Sequence, residues 1–348
     1  MKRFKAVKYI SIITLILLTV FSAKAQSFSA KELTIVNAND STALNGTLTT
    51  PANGSAKAVL VLATGSGMQN RDEELSGQRP FKVIAEYLSS NGYAVLRVDD
   101  RGYGVENYDF THNTINDFAS DIAACTDAIR AQFKSTPIGV LGHSEGGTIA
   151  VKNATSNPNC NFIITLGAPA WSGDSIIMSQ SRALAVGLTG KWDGEAQQRK
   201  ILDIVKSDLS NMQAHIALNF LLRQIYGEQA ALPEVEKALA QQVDILVSRW
   251  YRQLVRYNPA NDIRNVSKPW LALNGERDTQ VLPGNLATIK ELNPEVETVE
   301  LPAHNHLFQP CATGLANEYQ TLTQSPSTQT LETILNWLNT IVPSISVN

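Results

Sequence analysis

The residues with the clearest chemical signal lie between Gly142 and Gly146, in the sequence GHSEG. An apolar stretch that is predicted to be a strand leads into this segment, and small helix-forming residues follow it. A sharp turn from strand to helix holds its central residue in a strained backbone conformation, and flanking glycines prevent side-chain clashes there. The pattern therefore predicts that the hydroxyl group of Ser144 is exposed as a nucleophile. The alternative is a glycine-rich turn that a serine caps.

A serine hydroxyl group needs a base that removes its proton and a third group that orients this base. Of the five histidines, two follow the last predicted strand in the segment LPAHNHLF, namely His304 and His306. The segment LALNGERDTQV places two acids, Glu276 and Asp278, just after another strand. Asp278 lies deeper in the predicted turn and has the shorter carboxylate, so it is favoured over Glu276.

An alternation of strands and helices must position these segments. Two strands, ELTIVN and ALNGTLTT, come first, and apolar strands then alternate with amphipathic helices up to about residue 170. The alternation resumes after residue 257 with the strands PWLALNG and ETVELPA. Continuous apolar strands separated by helices indicate a parallel sheet that is covered on both faces, which predicts an α/β fold.

The block from Trp171 to Tyr257 interrupts this alternation with three long helical patterns. The clearest pattern predicts one helix with an apolar stripe, because its apolar residues are four and three positions apart: Val235, Leu239, Val243, Leu246, Trp250 and Leu254. Residues 26–170 and 258–348 are predicted to form one core, since neither part would close a sheet alone. Residues 171–257 are predicted to be a helical cap over the carboxyl edge of the sheet, where open α/β folds bind ligands.

Five segments, in this order, resemble the α/β-hydrolase superfamily: GSGMQNRDE, VLRVDDRGYG, GHSEGG, LALNGERDTQV and LPAHNHLFQ. Within it the chain is similar to bacterial serine esterases that are related to the acyl-aminoacyl and prolyl oligopeptidases. The resemblance implies the α/β-hydrolase fold and a catalytic triad in which His306 is the base and Asp278 is the acid that supports it. It also implies that the backbone N–H of Glu145 is the first oxyanion donor.

The second oxyanion donor is expected in the loop ATGSGMQN, after the third strand. Many members of the superfamily begin this loop with His-Gly, whereas this chain has Thr64 and Gly65. The donor is therefore open among Ser66, Gly67 and Met68, and Ser66 is the first choice by its position after Gly65.

Composition argues against several other classes of function. A net charge of −3 and a sequence pI near 6.0 leave no basic surplus for binding nucleic acid. The three cysteines allow at most one disulfide, and no cysteine or histidine spacing is typical of a metal site, so neither a metal nor another cofactor is expected.

In the segment DDRGYG, Asp100 and Arg101 are interpreted as a structural ion pair and not as part of the site.

The first residues have the pattern of a secretory signal. Basic residues precede an apolar run of about 13 residues, and Ala23-Lys24-Ala25 is typical of a cleavage site. A membrane-spanning helix needs roughly 20 apolar residues, which favours a cleaved signal over an anchor. We expect residues 1–25 to be removed and the mature chain, which begins at Gln26, to be secreted or periplasmic without a membrane anchor.

These observations predict a serine hydrolase that cleaves a small-molecule carboxylic ester through an acyl-enzyme. A peptidase or amidase that uses the same residues is the alternative, which the similarity to acyl-aminoacyl peptidases keeps open. The esterase is favoured because the chain shows no N-terminal β-propeller of the kind that many of those peptidases carry. A more remote alternative is a non-catalytic protein whose cap holds a lipid or another small ligand.

Overall fold

One eight-stranded sheet organises the part of the chain that the computed structural model describes, residues 27–322 and 325–345. The predicted signal, residues 1–25, lies outside these residues. The strands are β1 (Phe28–Asn37), β2 (Thr42–Pro51), β3 (Val59–Ala63), β4 (Ala94–Val98), β5 (Ile138–His143), β6 (Phe162–Leu166), β7 (Trp270–Gly275) and β8 (Glu297–Leu301).

The strand order is β1-β2-β4-β3-β5-β6-β7-β8. The strands β1, β2 and β4 pair in antiparallel fashion, and every other pair is parallel. The strands β3 to β7 are buried along their whole length, which explains their continuous apolar sequences. The observed sheet confirms the predicted fold class.

Eleven α-helices accompany the sheet in the described residues. They are α1 (Pro80–Ser90), α2 (Ile115–Gln132), α3 (Glu145–Ser156), α4 (Gly173–Thr189), α5 (Glu195–Lys206), α6 (Asn211–Tyr226), α7 (Pro233–Val247), α8 (Arg249–Arg256), α9 (Ala260–Asn265), α10 (Gly284–Leu292) and α11 (Thr328–Ile341). No helix in this part of the chain is long and apolar enough to cross a membrane.

Both faces of the sheet are covered by helices. The helices α2, α3, α9 and α10 pack on one face, around residues such as Phe118, Ile149 and Ile289. The helices α1 and α11 pack on the other face, where Phe81 and Trp337 are buried. Parallel strands leave their carboxyl ends at one edge of such a sheet, and the loops after these ends carry the candidate site.

The helices α4 to α8 lie between β6 and β7 in the chain, although these two strands are neighbours in the sheet. The helices have an apolar core of their own, which includes Leu202, Leu218 and Val243. The backbone N–H of Gly173 donates to the carbonyl oxygen of Tyr257 (2.8 Å), so the two ends of this segment lie side by side. That residues 171–257 form a cap over the core stays a prediction.

The block contains five helices instead of the three that the sequence predicted, and the predicted apolar stripe is divided between two of them. Ser248 separates α7 from α8, and its Oγ accepts a hydrogen bond from the backbone N–H of Tyr251 (3.2 Å), which caps the second helix. The part of the stripe on α7 packs in the apolar core of the helices α4 to α8, whereas Trp250 and Leu254 on α8 line a cavity that also contains Ser144. The prediction of one helix was wrong because the apolar spacing continues across the break.

Candidate active site

Ser144 stands at the junction of β5 and α3. Its backbone is in an unusual conformation, with φ 54° and ψ −120°. Every residue from Leu141 to Ala150 is buried except Ser144, which is partly exposed. The side chain of Ser144 makes no capping hydrogen bond to α3, so the alternative of a serine that caps a turn was wrong. The hydroxyl group is thus available on the surface of an otherwise closed turn.

Close packing explains the glycines around Ser144. A Cβ atom on Gly142 would lie 1.9 Å from the carbonyl oxygen of Gly146, and a Cβ atom on Gly146 would lie 2.0 Å from the carbonyl oxygen of Ala63. No side chain fits at such distances. The loop after β3 also comes near the serine, because a Cβ atom on Gly65 would lie 3.3 Å from the Cβ atom of Ser144.

His306 and Asp278 form a buried pair. The Nδ1 atom of His306 lies 2.7 Å from Oδ2 of Asp278. The other carboxylate oxygen of Asp278 accepts hydrogen bonds from the backbone N–H groups of Gln280 and Val281, both at 2.8 Å. His306 lines the same cavity as Ser144. The structure therefore brings the three predicted triad residues to one place.

The structure places the competing residues elsewhere. The Nδ1 atom of His304 lies 2.8 Å from the carbonyl oxygen of Pro302, and its Nε2 atom lies 2.8 Å from Oγ of Ser327. Glu276 accepts a hydrogen bond from the backbone N–H of Ala303 (2.7 Å). Neither His304 nor Glu276 lines the cavity that contains Ser144.

The loop after β3 supplies the candidate oxyanion donors. Ser66 lines the cavity beside Ser144, whereas Gly67 and Met68 do not. The backbone N–H of Gly65 is already used, since it donates to Oε1 of Glu73 (2.7 Å). Ser66 therefore stays the first choice, and its role as a donor stays a prediction, as does that of the Glu145 backbone N–H.

Glu73 and His143 form a second buried pair that sequence reasoning missed. Oε1 of Glu73 lies 2.9 Å from Nδ1 of His143, and Nε2 of His143 lies 2.9 Å from the backbone carbonyl oxygen of His306. Burial alone would lower the pKa of His143, but the negative charge of Glu73 raises it above its usual value. No sequence pattern links Glu73 to the segment GHSEG, because the contact is made only in the fold.

Asp100 and Arg101 have structural roles, as expected, but they do not pair with each other. The two oxygens of Asp100 accept hydrogen bonds from Oγ1 of Thr64 (2.5 Å) and from the backbone N–H of Gln69 (2.8 Å). Arg101 instead forms an ion pair with Asp121 at 2.7 Å. The predicted ion pair was wrong because Asp100 turns towards the loop after β3. Burial raises the pKa of Asp100 to about 7.

The cavity above Ser144 has a volume of about 270 Å³. Its wall combines polar residues of the sheet edge with apolar residues of α4 and α8, among them Ile176, Ile177, Trp250 and Leu254. In the described residues, no group of histidine, cysteine and acidic side chains is arranged to hold a metal ion. The three cysteines are free.

Solved structures share this architecture. The esterase Pf2001 of Pyrococcus furiosus is 18% identical, and the match covers 90% of this chain and 91% of that one with a TM-score of 0.56. A thermophilic esterase from Thermogutta terrifontis is 16% identical over 89% of this chain and 99% of that one, with a TM-score of 0.51. The chain has the α/β-hydrolase fold. This finding confirms the fold that the resemblance of the five sequence segments implied.

Sequence comparisons identify relatives of this chain. The family described as "Serine aminopeptidase, S33" matches residues 73–224, a range that contains Ser144 but ends before Asp278 and His306. Esterase EstD of Thermotoga maritima is 25% identical over 258 residues, which are 74% of this chain and 53% of that protein. A monoglyceride lipase homolog of Monkeypox virus is 30% identical over 123 residues, which are 34% of this chain and 41% of that protein. The matches thus span about half of the curated relatives or less.

Proposed function

We propose that this α/β hydrolase is a serine carboxylesterase that cleaves small-molecule esters through an acyl-enzyme. One observation carries the proposal. Ser144 is partly exposed in a strained turn and lines the same cavity as His306, whose Nδ1 atom lies 2.7 Å from Asp278. The esterases among the relatives support an ester as the substrate class.

In the first half of the reaction, Ser144 is acylated with the help of His306 and Asp278. The carboxylate of Asp278 accepts the Nδ1–H of His306, so Nε2 of His306 is free to take the proton of Ser144. The Ser144 oxygen then attacks the carbonyl carbon of the ester. The backbone N–H groups of Glu145 and Ser66 donate to the oxygen that becomes negative, and the positive end of the α3 dipole adds to this stabilisation.

The tetrahedral intermediate then expels the alcohol, which receives the proton from His306, and this completes the acyl-enzyme. In the second half, a water molecule gives a proton to His306 and attacks the acyl group on Ser144. The second tetrahedral intermediate breaks its bond to Ser144, whose oxygen takes the proton back from His306, and the carboxylic acid is released. Asp278 stabilises the positive imidazolium of His306 in both halves. No step needs a cofactor.

The decisive experiment is covalent labelling of the purified chain with a fluorophosphonate probe, followed by mass spectrometry. We expect the label on Ser144. We also expect Ser144→Ala to reduce the turnover of p-nitrophenyl acetate by at least ~10³-fold with an unchanged circular dichroism spectrum. The matched control is Ser156→Ala, since Ser156 is exposed at the other end of α3. Labelling of another residue, or near-normal turnover in Ser144→Ala, would disprove the mechanism.

A peptidase is the second candidate, because the family that matches residues 73–224 is described as a serine aminopeptidase. The same triad would then attack an amide. A panel of p-nitrophenyl esters with graded acyl chains, measured beside alanyl p-nitroanilide, separates the two activities. Faster cleavage of the anilide at equal concentration would favour the peptidase.

We further propose that the mature protein is secreted or periplasmic and begins at Gln26. The basic residues, the short apolar run and Ala23-Lys24-Ala25 support this proposal. N-terminal sequencing of the protein from its native host should start at Gln26 or within two residues of it. Recovery of the full-length chain from the membrane fraction would show that the segment is an anchor.

A further inference from the structure

Asp100 joins the two ends of the loop that follows β3. Its Oδ1 atom accepts a hydrogen bond from Oγ1 of Thr64 (2.5 Å), and its Oδ2 atom accepts one from the backbone N–H of Gln69 (2.8 Å). Ser66, the first choice for the second oxyanion donor, lies between these two residues in the chain. One carboxylate just after β4 therefore holds both ends of the segment that carries this donor.

The peptide groups on either side of the Ser66 N–H are held by hydrogen bonds. The backbone N–H of Gly65 donates to Oε1 of Glu73 (2.7 Å), which fixes the preceding peptide group. The carbonyl oxygen of Ser66 accepts a hydrogen bond from Nε2 of Gln69 (3.2 Å), which fixes the following one. Because Asp100 holds the backbone of Gln69, it also places the side chain that reaches Ser66. The position of the Ser66 N–H thus depends on Asp100.

The loop has more room beside Asp100 than beside Ser144. A Cβ atom on Gly65 would lie 3.3 Å from the Cβ atom of Ser144, so the loop already comes close to the nucleophile. A separate cavity of about 20 Å³ is lined by Thr64, Gly67 and Asp100, among others. This is about the space that one water molecule needs. Loss of the Asp100 carboxylate would enlarge this cavity and leave the loop free to move into it.

Asp100 keeps both contacts whether or not it is ionised. Burial raises its pKa to about 7, and the charges of Glu73 and Glu145 act in the same direction, so both forms occur near neutral pH. The ionised form accepts both hydrogen bonds. A form that is protonated at Oδ1 donates to Oγ1 of Thr64 instead, and its Oδ2 still accepts from Gln69, because a hydroxyl group is both donor and acceptor. Asp100 therefore contributes its shape and two hydrogen bonds to the loop, and its charge is not required.

We propose that Asp100 is a positioning residue for the Ser66 backbone N–H and that it acts through Thr64 and Gln69. This inference rests on the proposed function, since it concerns the oxyanion of that reaction. In the described part of the chain, Asp100 is not among the residues that line the cavity with Ser144, so it acts without touching the substrate. Its effect should appear when the carbonyl oxygen becomes negative, and much less in the binding of the ester.

The first experiment compares two variants of Asp100 in the hydrolysis of p-nitrophenyl butyrate. Asp100→Ala removes both hydrogen bonds, and we expect kcat to fall roughly 10- to 100-fold with KM changed by less than about twofold. Asp100→Asn keeps the shape, and its amide can donate to Thr64 and accept from Gln69, so it should retain most of the wild-type kcat. Near-normal kcat in Asp100→Ala would overturn the proposal. An equal loss in both variants would also overturn it, since the charge would then be responsible.

Variants of Thr64 test the same contact and keep the proposal testable if Asp100→Ala does not fold. Thr64→Val has the same shape without the hydroxyl group and should lower kcat about tenfold, whereas Thr64→Ser should not. The matched control is Asp99→Ala, because Asp99 is the neighbouring acid and pairs with Arg71 (2.6 Å) instead. This control should lower Tm and leave kcat close to normal. An equal loss of kcat in Asp99→Ala would contradict the positioning role.

A transition-state analogue distinguishes positioning from a general loss of structure. A trifluoromethyl ketone forms a tetrahedral adduct with a serine oxygen, and this adduct carries the negative oxygen of the transition state. Its Ki in Asp100→Ala should rise by the same factor by which kcat/KM falls. The Ki of the matching methyl ketone should change little. A rise of both Ki values by the same factor would contradict the proposal.

A measurement without substrate separates this role from the proposed reaction. In Ser144→Ala protein that carries isotope-labelled serine, the NMR signal of the Ser66 backbone N–H is assigned by its loss in Ser66→Ala. Asp100→Ala in this background should shift the signal, and Asp100→Asn should leave it close to its original position. If the shift is observed but the wild type hydrolyses no ester, the proposed function fails and the effect of Asp100 on the loop stands. If esters are hydrolysed and Asp100→Ala causes neither a shift nor a loss of kcat, only the positioning role fails.

Discussion

The Nε2 atom of His143 lies 2.9 Å from the backbone carbonyl oxygen of His306. The residue that precedes the candidate nucleophile therefore holds the loop that carries the candidate base. The two rings also pack against each other, with their centroids 4.6 Å apart. Glu73 completes the arrangement, because its Oε1 faces Nδ1 of His143 and thus favours protonation of both ring nitrogens.

We expect Glu73→Gln to reduce kcat about tenfold with little change in KM, because a neutral glutamine no longer favours the protonated form of His143. A neutral His143 that carries its proton on Nδ1 has no N–H at Nε2 to donate to the carbonyl oxygen of His306. The loop that carries His306 then loses this hydrogen bond. The control is Glu74→Gln, a neighbouring exposed acid that pairs with Arg79 at 3.1 Å. Equal activity of the wild type and Glu73→Gln would contradict the positioning role.

The stability of Glu73→Gln relative to the wild type should depend on pH. The pKa of His143 is raised in the folded protein, so its pairing stabilises the fold fully below the unfolded value of 6.5. This stability is lost as the pH rises through the raised pKa. The difference in Tm between the wild type and Glu73→Gln should therefore be largest in acid and should narrow above pH 6.5. A difference that grows with pH would show that His143 is neutral in the fold.

His306→Ala should behave like Ser144→Ala, with a loss of at least ~10³-fold in turnover. His304→Ala should lose far less activity but should lower the free energy of unfolding by about 1–3 kcal/mol, because its two ring hydrogen bonds hold a buried loop. Turnover and urea denaturation, measured on both variants, check this. The reverse pattern of activity would move the base to His304.

Gly146→Ala tests the packing of the turn around Ser144. The new Cβ atom would lie 2.0 Å from the carbonyl oxygen of Ala63, so β3 and α3 must move apart. We expect a loss of about 10²-fold in turnover, since the N–H groups that face the oxyanion move with them. The control is Gly194→Ala, where the nearest atom, Nε1 of Trp192, is 3.2 Å away and flexible. Normal rates of fluorophosphonate labelling in Gly146→Ala would disprove this account.

Replacement of residues 171–257 by a short Gly-Ser linker tests the cap. The linker need only be short, because Gly173 and Tyr257 are hydrogen-bonded to each other. The variant loses Trp250, Leu254 and the other apolar side chains that residues 171–257 contribute to the cavity wall. It should therefore lose chain-length selectivity and some stability but retain hydrolysis of an acetate ester. Phe220→Ala, on an exposed part of α6, serves as the control. A folded linker variant with the full-length selectivity would show that the segment is a peripheral element.

The sequence predicted the parts of this protein that local chemistry determines. The GHSEG segment marked Ser144, and the short loops after β7 and β8 limited the acid and the base to two candidates each. Contacts between distant residues were not predictable in this way. Glu73 contacts His143, and Glu145 approaches Trp250, only because the fold brings these distant residues together. The break at Ser248 was also missed, because the apolar spacing on both sides of it is continuous.

The position of β6 next to β7 in the sheet affects when the candidate site is assembled during folding. These strands lie next to each other, but residues 171–257 are synthesised between them, and both Asp278 and His306 follow this segment. Pairing across so long a segment is slow, because the entropy of loop closure must be overcome before the contact forms. A partly synthesised polypeptide therefore carries Ser144 without Asp278 and His306. The proposed hydrolytic activity would accordingly report the last stage of folding, because the proposed triad is incomplete until the C-terminal strands have docked.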